Sequence, residues 1–173
     1  MNNPAPFNIL MYSHDTYGLG HIRRSMAIAS HLCDDETNIL ILTGSPIAGR
    51  FAFPKQMDFI RIPGMIKQKD GDYQSLSIRI GQEQALAIRT SLILAAAQSF
   101  RPDIFIVDKE PHGLKKEVLP TLEWLRMESP QTTSILGLRD ILDDAEVVRN
   151  DWLERGIYPT LNTLYDEVWV YGE

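Results

Sequence analysis

Two glycines, a histidine and two arginines stand within seven residues: Gly18, Gly20, His21, Arg23 and Arg24. They follow, after Ser13–Tyr17, on a short apolar run, Phe7–Tyr12, and precede a stretch with helical apolar spacing. Glycines before a helix N-terminus let a ligand approach backbone N–H groups, and the helix dipole there favours negative charge. Arginines in that first turn run against the dipole, where acidic residues are preferred. They fit an anionic ligand, and equally two solvated side chains on a surface helix. His21 is the sharpest single residue. An imidazole has an unperturbed pKa of ~6.5 and works as a general base when a carboxylate orients it and stabilises the imidazolium. The bland alternative is a histidine that only caps the helix.

Two nucleotide signatures are tested by this turn and fail. GxGxxG would require a third glycine at position 23, where Arg23 stands, and an acidic residue at the end of the second strand, where Thr43-Gly44 stands. GxxxxGK[ST] does not occur. Neither a dinucleotide nor any other cofactor is expected. One cysteine, Cys33, and the absence of HExxH give no basis for a metal site.

The elements that must position these residues are legible as alternating apolar runs and helical stretches. Phe7–Tyr12, Asn38–Thr43, Met57–Ile62, Asp103–Asp108, Thr133–Leu138 and Glu167–Tyr171 read as strands, most of them too continuously apolar for a one-sided sheet. Ile22, Met26, Ala29 and Cys33 form one helical stripe, and Leu86, Ile93, Ala97 and Phe100 another within Leu76–Phe100. Further helices are expected over Glu117–Met127 and Ala145–Tyr165, the last broken near Gly156 and Pro159. Pro63–Ser75 reads as one long polar loop. This alternation predicts an α/β, Rossmann-like three-layer sandwich with a mostly parallel sheet of order 3-2-1-4-5-6, one domain over residues 1–173.

In such sheets ligands bind beyond the carboxyl ends of the strands where the order reverses, here between strands one and four. That crevice receives Ser13–His21, Asp108–Gly113 and, from the fifth strand, Arg139 and Asp140. Asp108 is the carboxylate placed to orient His21. His14 could share the base role. Glu110 and His112 flank Pro111 and either shape the binding site or form a surface loop stiffened by proline. Arg139 is an anion contact or a simple partner of Asp140. Trp124, Trp152 and Trp169 read as packing, and Asp143-Asp144 as a helix cap.

Around this crevice the chain resembles the N-terminal domain of GT-B glycosyltransferases. Tyr12-Ser13-His14-Asp15-Thr16-Tyr17-Gly18-Leu19-Gly20-His21-Ile22-Arg23-Arg24 is similar to the G-x-G-H-x-x-R form of their first loop. The likeness is strongest to a bacterial group of predicted glycosyltransferases related to the peptidoglycan N-acetylglucosaminyltransferase family. Ile106–Gly113 and Tyr165–Gly172 are similar to later segments of that group, so the resemblance spans nearly the whole chain. It departs at Arg24 and Ser25, where many members carry a proline. The resemblance implies an acceptor-binding half, with His21 as base, Asp108 as its helper, and a hydroxyl acceptor bordered by His14, Gly18, Gly20, Arg23, Glu110, His112 and Arg139. The nucleotide-sugar donor would be held mainly by a C-terminal domain that these 173 residues do not contain, and the chain alone is expected to be inactive.

Bulk properties bound the alternatives. With 44% apolar and 23% charged residues the chain is expected to fold as a soluble globule, cytoplasmic or peripheral to the inner membrane. A net charge of −6 opposes binding along a phosphate backbone, so nucleic acid is not an expected partner. No apolar run approaches the ~20 residues of a spanning helix. A non-catalytic Rossmann-like binding module and a sugar-nucleotide epimerase remain open as other functions of the same architecture.

Overall fold

The computed structural model describes residues 6–15, 19–68, 72–139 and 144–172. Along the chain run β1 (Phe7–Ser13), α1 (Gly20–Leu32), β2 (Thr37–Thr43), β3 (Met57–Arg61), β4 (Met65–Lys67), β5 (Tyr73–Ser75) and α2 (Gln82–Phe100). They are followed by β6 (Ile104–Asp108), α3 (Leu119–Glu128), β7 (Thr133–Arg139), α4 (Ala145–Glu154), α5 (Ile157–Leu164) and β8 (Glu167–Tyr171). The main sheet has the order β3-β2-β1-β6-β7-β8, and every pairing in it is parallel. Counting only its own strands, this is the expected 3-2-1-4-5-6.

The alternation of β1 explains the layers. Ile9 and Met11 point to one face and pack with Ile22 and Ala29 of α1. Leu10 and Tyr12 point to the other and pack with Ile93 and Ala97 of α2 and Leu122 and Leu125 of α3. Each such side chain contributes roughly 1.5–3 kcal/mol on burial, so a strand covered on both faces has no position for a solvated residue. Trp124 and Trp152 pack against the α2–α3 side and Trp169 against the α1 side, as the reading of tryptophans as packing anticipates.

Some details differ from the sequence reading. Within Pro63–Ser75 the chain forms an antiparallel hairpin, Met65–Lys67 against Tyr73–Ser75, instead of an irregular loop. Three-residue strands are too short to show an alternating pattern. Its inner side is anchored by Met65, buried with Ala85 and Leu114. Helix α2 begins at Gln82 and not at Leu76, because Gly81 takes the N-cap position and Leu76 and Ile78 stay exposed. Leu86 leaves the stripe of Ile93, Ala97 and Phe100 to pack beside the hairpin.

The predicted break in the last helix lies at Gly156, whose φ of 66° is left-handed, and it separates α4 from α5. Pro159 does not cause it. Proline sits in the first turn of α5, where its missing N–H has no helical acceptor to lose. Asp144 caps α4 by accepting from the N–H groups of Glu146 and Val147. No helix among the described residues is long and apolar enough to cross a membrane.

Candidate functional site

The parallel sheet delivers the carboxyl ends of β1 and β6 side by side, with Tyr12 paired to Val107. Beyond β1 the chain re-enters the described residues at Leu19, and His21 lies in the first turn of α1. Its Nδ1 is 2.5 Å from Asp108 Oδ2. Arg24, one helical turn on, donates from Nε (3.0 Å) and Nη2 (2.8 Å) to Oδ1 of the same carboxylate. Residues at i and i+3 share a helix face, which is how α1 brings both side chains to one aspartate. Asp108 is 6% exposed.

Proton placement follows from the donors. The guanidinium can only donate, so Asp108 accepts as a carboxylate, and the proton in the short contact belongs to His21 Nδ1. Nε2 is then the ring position left to act as a base. The 3.1 Å approach of Arg24 Nη2 to His21 Nδ1 brings two donors together and is not a hydrogen bond. It places a cation against the imidazole.

A third group reaches this cluster from β8. The Tyr171 ring crosses β7 at Gly137, where a Cβ would lie 2.2 Å from the Tyr171 hydroxyl oxygen. Only glycine leaves that passage open. Burial, and then the Asp108 charge, push the Tyr171 phenol up to about 12, and its hydroxyl has no hydrogen-bond partner among the described residues.

His14 stands beside His21, ring centroids 5.8 Å apart and nearly edge-on. It is buried, and burial, followed by the electrostatic influence of the neighbouring His21, lowers its pKa to about 3. It lines a cavity of about 450 Å³ together with the loop after β6, the end of α4 and Tyr73 of the hairpin. The loop is held in an uncommon conformation: Lys109, Lys115 and Lys116 have φ of 65°, 48° and 71°. Left-handed backbone costs roughly 1–2 kcal/mol per non-glycine residue, and such strain gathers at binding sites.

The remaining expected residues fall as follows. Glu110 lines the cavity and pairs with Arg155, 2.5 Å from its Nη2. His112 is buried and lines the cavity, its Nε2 2.8 Å from Thr160 Oγ1, and burial lowers its pKa. Gly20 opens α1, with free space where a Cβ would project. Arg23 is exposed, away from the aspartate that Arg24 engages. Arg139 is exposed at the end of β7; its proposed partner Asp140, and Gly18 of the glycine turn, lie outside the described residues. At the end of β2 the Thr43 hydroxyl donates to Asp15, whose carboxyl is pushed up by burial. Among the described residues no three His, Cys, Asp or Glu side chains converge as a metal site.

The sequence reading missed a buried chain behind this site. Arg89 of α2 is 1% exposed and donates from Nε (2.6 Å) and Nη2 (2.5 Å) to Glu117, and from Nη1 to the Pro63 carbonyl (2.6 Å). Tyr12 donates to Glu117 at 2.6 Å, and His14 Nδ1 is 3.3 Å from the Tyr12 oxygen. The signal was present. Arg89 occupies the apolar stripe between Leu86 and Ile93, and a charge at a core position requires a buried partner.

No known family model matches the chain, and no curated protein sequence is similar enough to count as a relative.

Proposed function

We propose that the chain is the acceptor-side half of a glycosyltransferase that moves a sugar from a nucleotide-sugar donor to a hydroxyl acceptor. The observation that carries this reading is the His21–Asp108 hydrogen bond at the point where the strand order reverses; His14, packed against His21, lines a cavity large enough for a sugar. As the acceptor oxygen attacks the anomeric carbon, His21 Nε2 takes its proton. The bond from that carbon to the diphosphate breaks, and the diphosphate leaves with the electron pair. Asp108 fixes the ring and offsets the charge that develops on it. The leaving diphosphate needs its own cationic or N–H partners, which in this reading come from a donor-binding domain or chain. Gly20 and Arg23 border that side, at an α1 N-terminus with no acidic residue in its first turn and no side-chain cap.

One observation favours a non-catalytic binding module instead. Arg24 already occupies Asp108 and presses its cation on His21. A single experiment decides between them. Expressed as the full product of its gene and supplied with a panel of nucleotide sugars and acceptors, the protein should release nucleoside diphosphate. His21→Ala should lower that rate by roughly 10²–10⁴-fold, the range of a general base. No release with any donor, or full turnover by His21→Ala, would overturn the transferase reading. Epimerised sugar nucleotide without acceptor consumption would identify an epimerase.

A further inference from the structure

The buried chain behind the site sets the protonation pattern of His14. Glu117 is 2% exposed, and the Arg89 guanidinium holds both of its oxygens. It is a carboxylate that only accepts, so the single proton of the Tyr12 hydroxyl is committed to it at 2.6 Å. Toward its other neighbours the Tyr12 oxygen can therefore only accept. It does so from the Leu114 N–H at 3.3 Å and from His14 Nδ1 at 3.3 Å. The proton of His14 is thereby assigned to Nδ1, and Nε2 carries a lone pair. No partner among the described residues holds Nε2, and His14 lines the cavity.

The geometry points to His14 as a hydroxyl-reading residue, whose Nε2 accepts a hydrogen bond from a second acceptor hydroxyl next to the one His21 engages. The chain then selects acceptors that carry a vicinal diol. This rests on the transferase reading for the role of His21, but the assignment of the His14 tautomer does not. The two imidazoles are neighbours, with centroids 5.8 Å apart and planes nearly perpendicular, so hydroxyls engaged by the two rings would lie close together. The two rings divide the work. Burial keeps His14 from gaining a second proton near neutrality, its pKa being held down to about 3, so it holds a hydroxyl without deprotonating it. His21, backed by Asp108, is the ring suited to remove one. Tyr12, Glu117 and Arg89 act through His14 and are positioning residues.

The test uses the ¹⁵N-labelled chain. Long-range ¹H–¹⁵N spectra should show His14 protonated at Nδ1 and bare at Nε2. Methyl glycosides of gluco, manno and galacto configuration are then titrated beside deoxy analogues that each lack one hydroxyl. At least one diol should move the His14 Nε2 resonance. Loss of the neighbouring hydroxyl should weaken binding about tenfold, as expected for one hydrogen bond. Tyr12→Phe should let both His14 tautomers appear and should reduce the preference for the diol. A Tyr12→Phe variant that fails to fold leaves the comparison of glycosides on the parent chain as the deciding measurement. His14 protonated at Nε2, equal affinity for diol and deoxy sugars, or no glycoside moving His14 would overturn the inference. Shifts at His21 but not His14 would do so while sparing the base reading. Shifts at His14 with deoxy discrimination, but none at His21, would support the hydroxyl-reading residue and count against His21 as base.

Discussion

Replacing His14 with asparagine should flatten the dependence of folding stability on pH below neutrality. In the folded chain the His14 pKa is lowered to about 3, chiefly by burial, whereas in the unfolded chain it returns to its model value of 6.5. As pH falls below 6.5, the unfolded chain binds a proton that the folded chain refuses. His14 therefore contributes full stability above pH 6.5 and loses it progressively toward pH 3. For one proton the slope is about 1.4 kcal/mol per pH unit, so lowering the pH by two units below the unfolded pKa costs about 2.7 kcal/mol from this residue alone. The contributions of His112, lowered, and Asp15, raised, are present in parent and variant alike and cancel in the difference. An asparagine amide can still donate to the Tyr12 oxygen, which limits the cost of the substitution at pH 7. Urea unfolding of both proteins at pH 7.5, 6.5, 5.5 and 4.5 would measure the difference. The same slope in both would refute the placement of His14 as a buried neutral ring.

Other substitutions test the packing around the site. Arg89→Met should destabilise by roughly 3–5 kcal/mol, because Glu117 is left buried and uncompensated; adding Glu117→Leu should recover most of that loss in denaturant unfolding. Gly137→Ala should cost about 1–3 kcal/mol through collision with the Tyr171 ring, and much less in a Tyr171→Ala background. Tyr171→Phe should leave stability unchanged or raised in thermal unfolding, since the hydroxyl it removes is buried without a partner among the described residues.

Period and punctuation made the architecture legible. The six strands of the main sheet, their order and the break at Gly156 all follow from long or strongly marked segments. The hairpin at Met65–Ser75 was not legible, because six paired residues carry too little pattern and its reason to form lies in Ala85 and Leu114, distant in sequence. At the site, His21 and Asp108 were legible because strand ends must converge there. The spacing of Arg24 from His21 carried the same information, since one helical turn puts both on one face, yet the pair of arginines read as a unit drew attention to Arg23. The Tyr12–Glu117–Arg89 chain required a tertiary contact between α2 and the turn before α3. Only the incongruity of Arg89 in an apolar stripe hinted at it.

Arg24 decides how firmly the carboxylate at the site is held. A carboxylate that met His21 alone would be fixed on one side only. Asp108 instead divides itself, one oxygen to His21 Nδ1 and the other to two N–H groups of Arg24. The ring gains orientation, because the aspartate is clamped from both sides. A ring held this way is fixed in orientation by a carboxylate that it shares with Arg24.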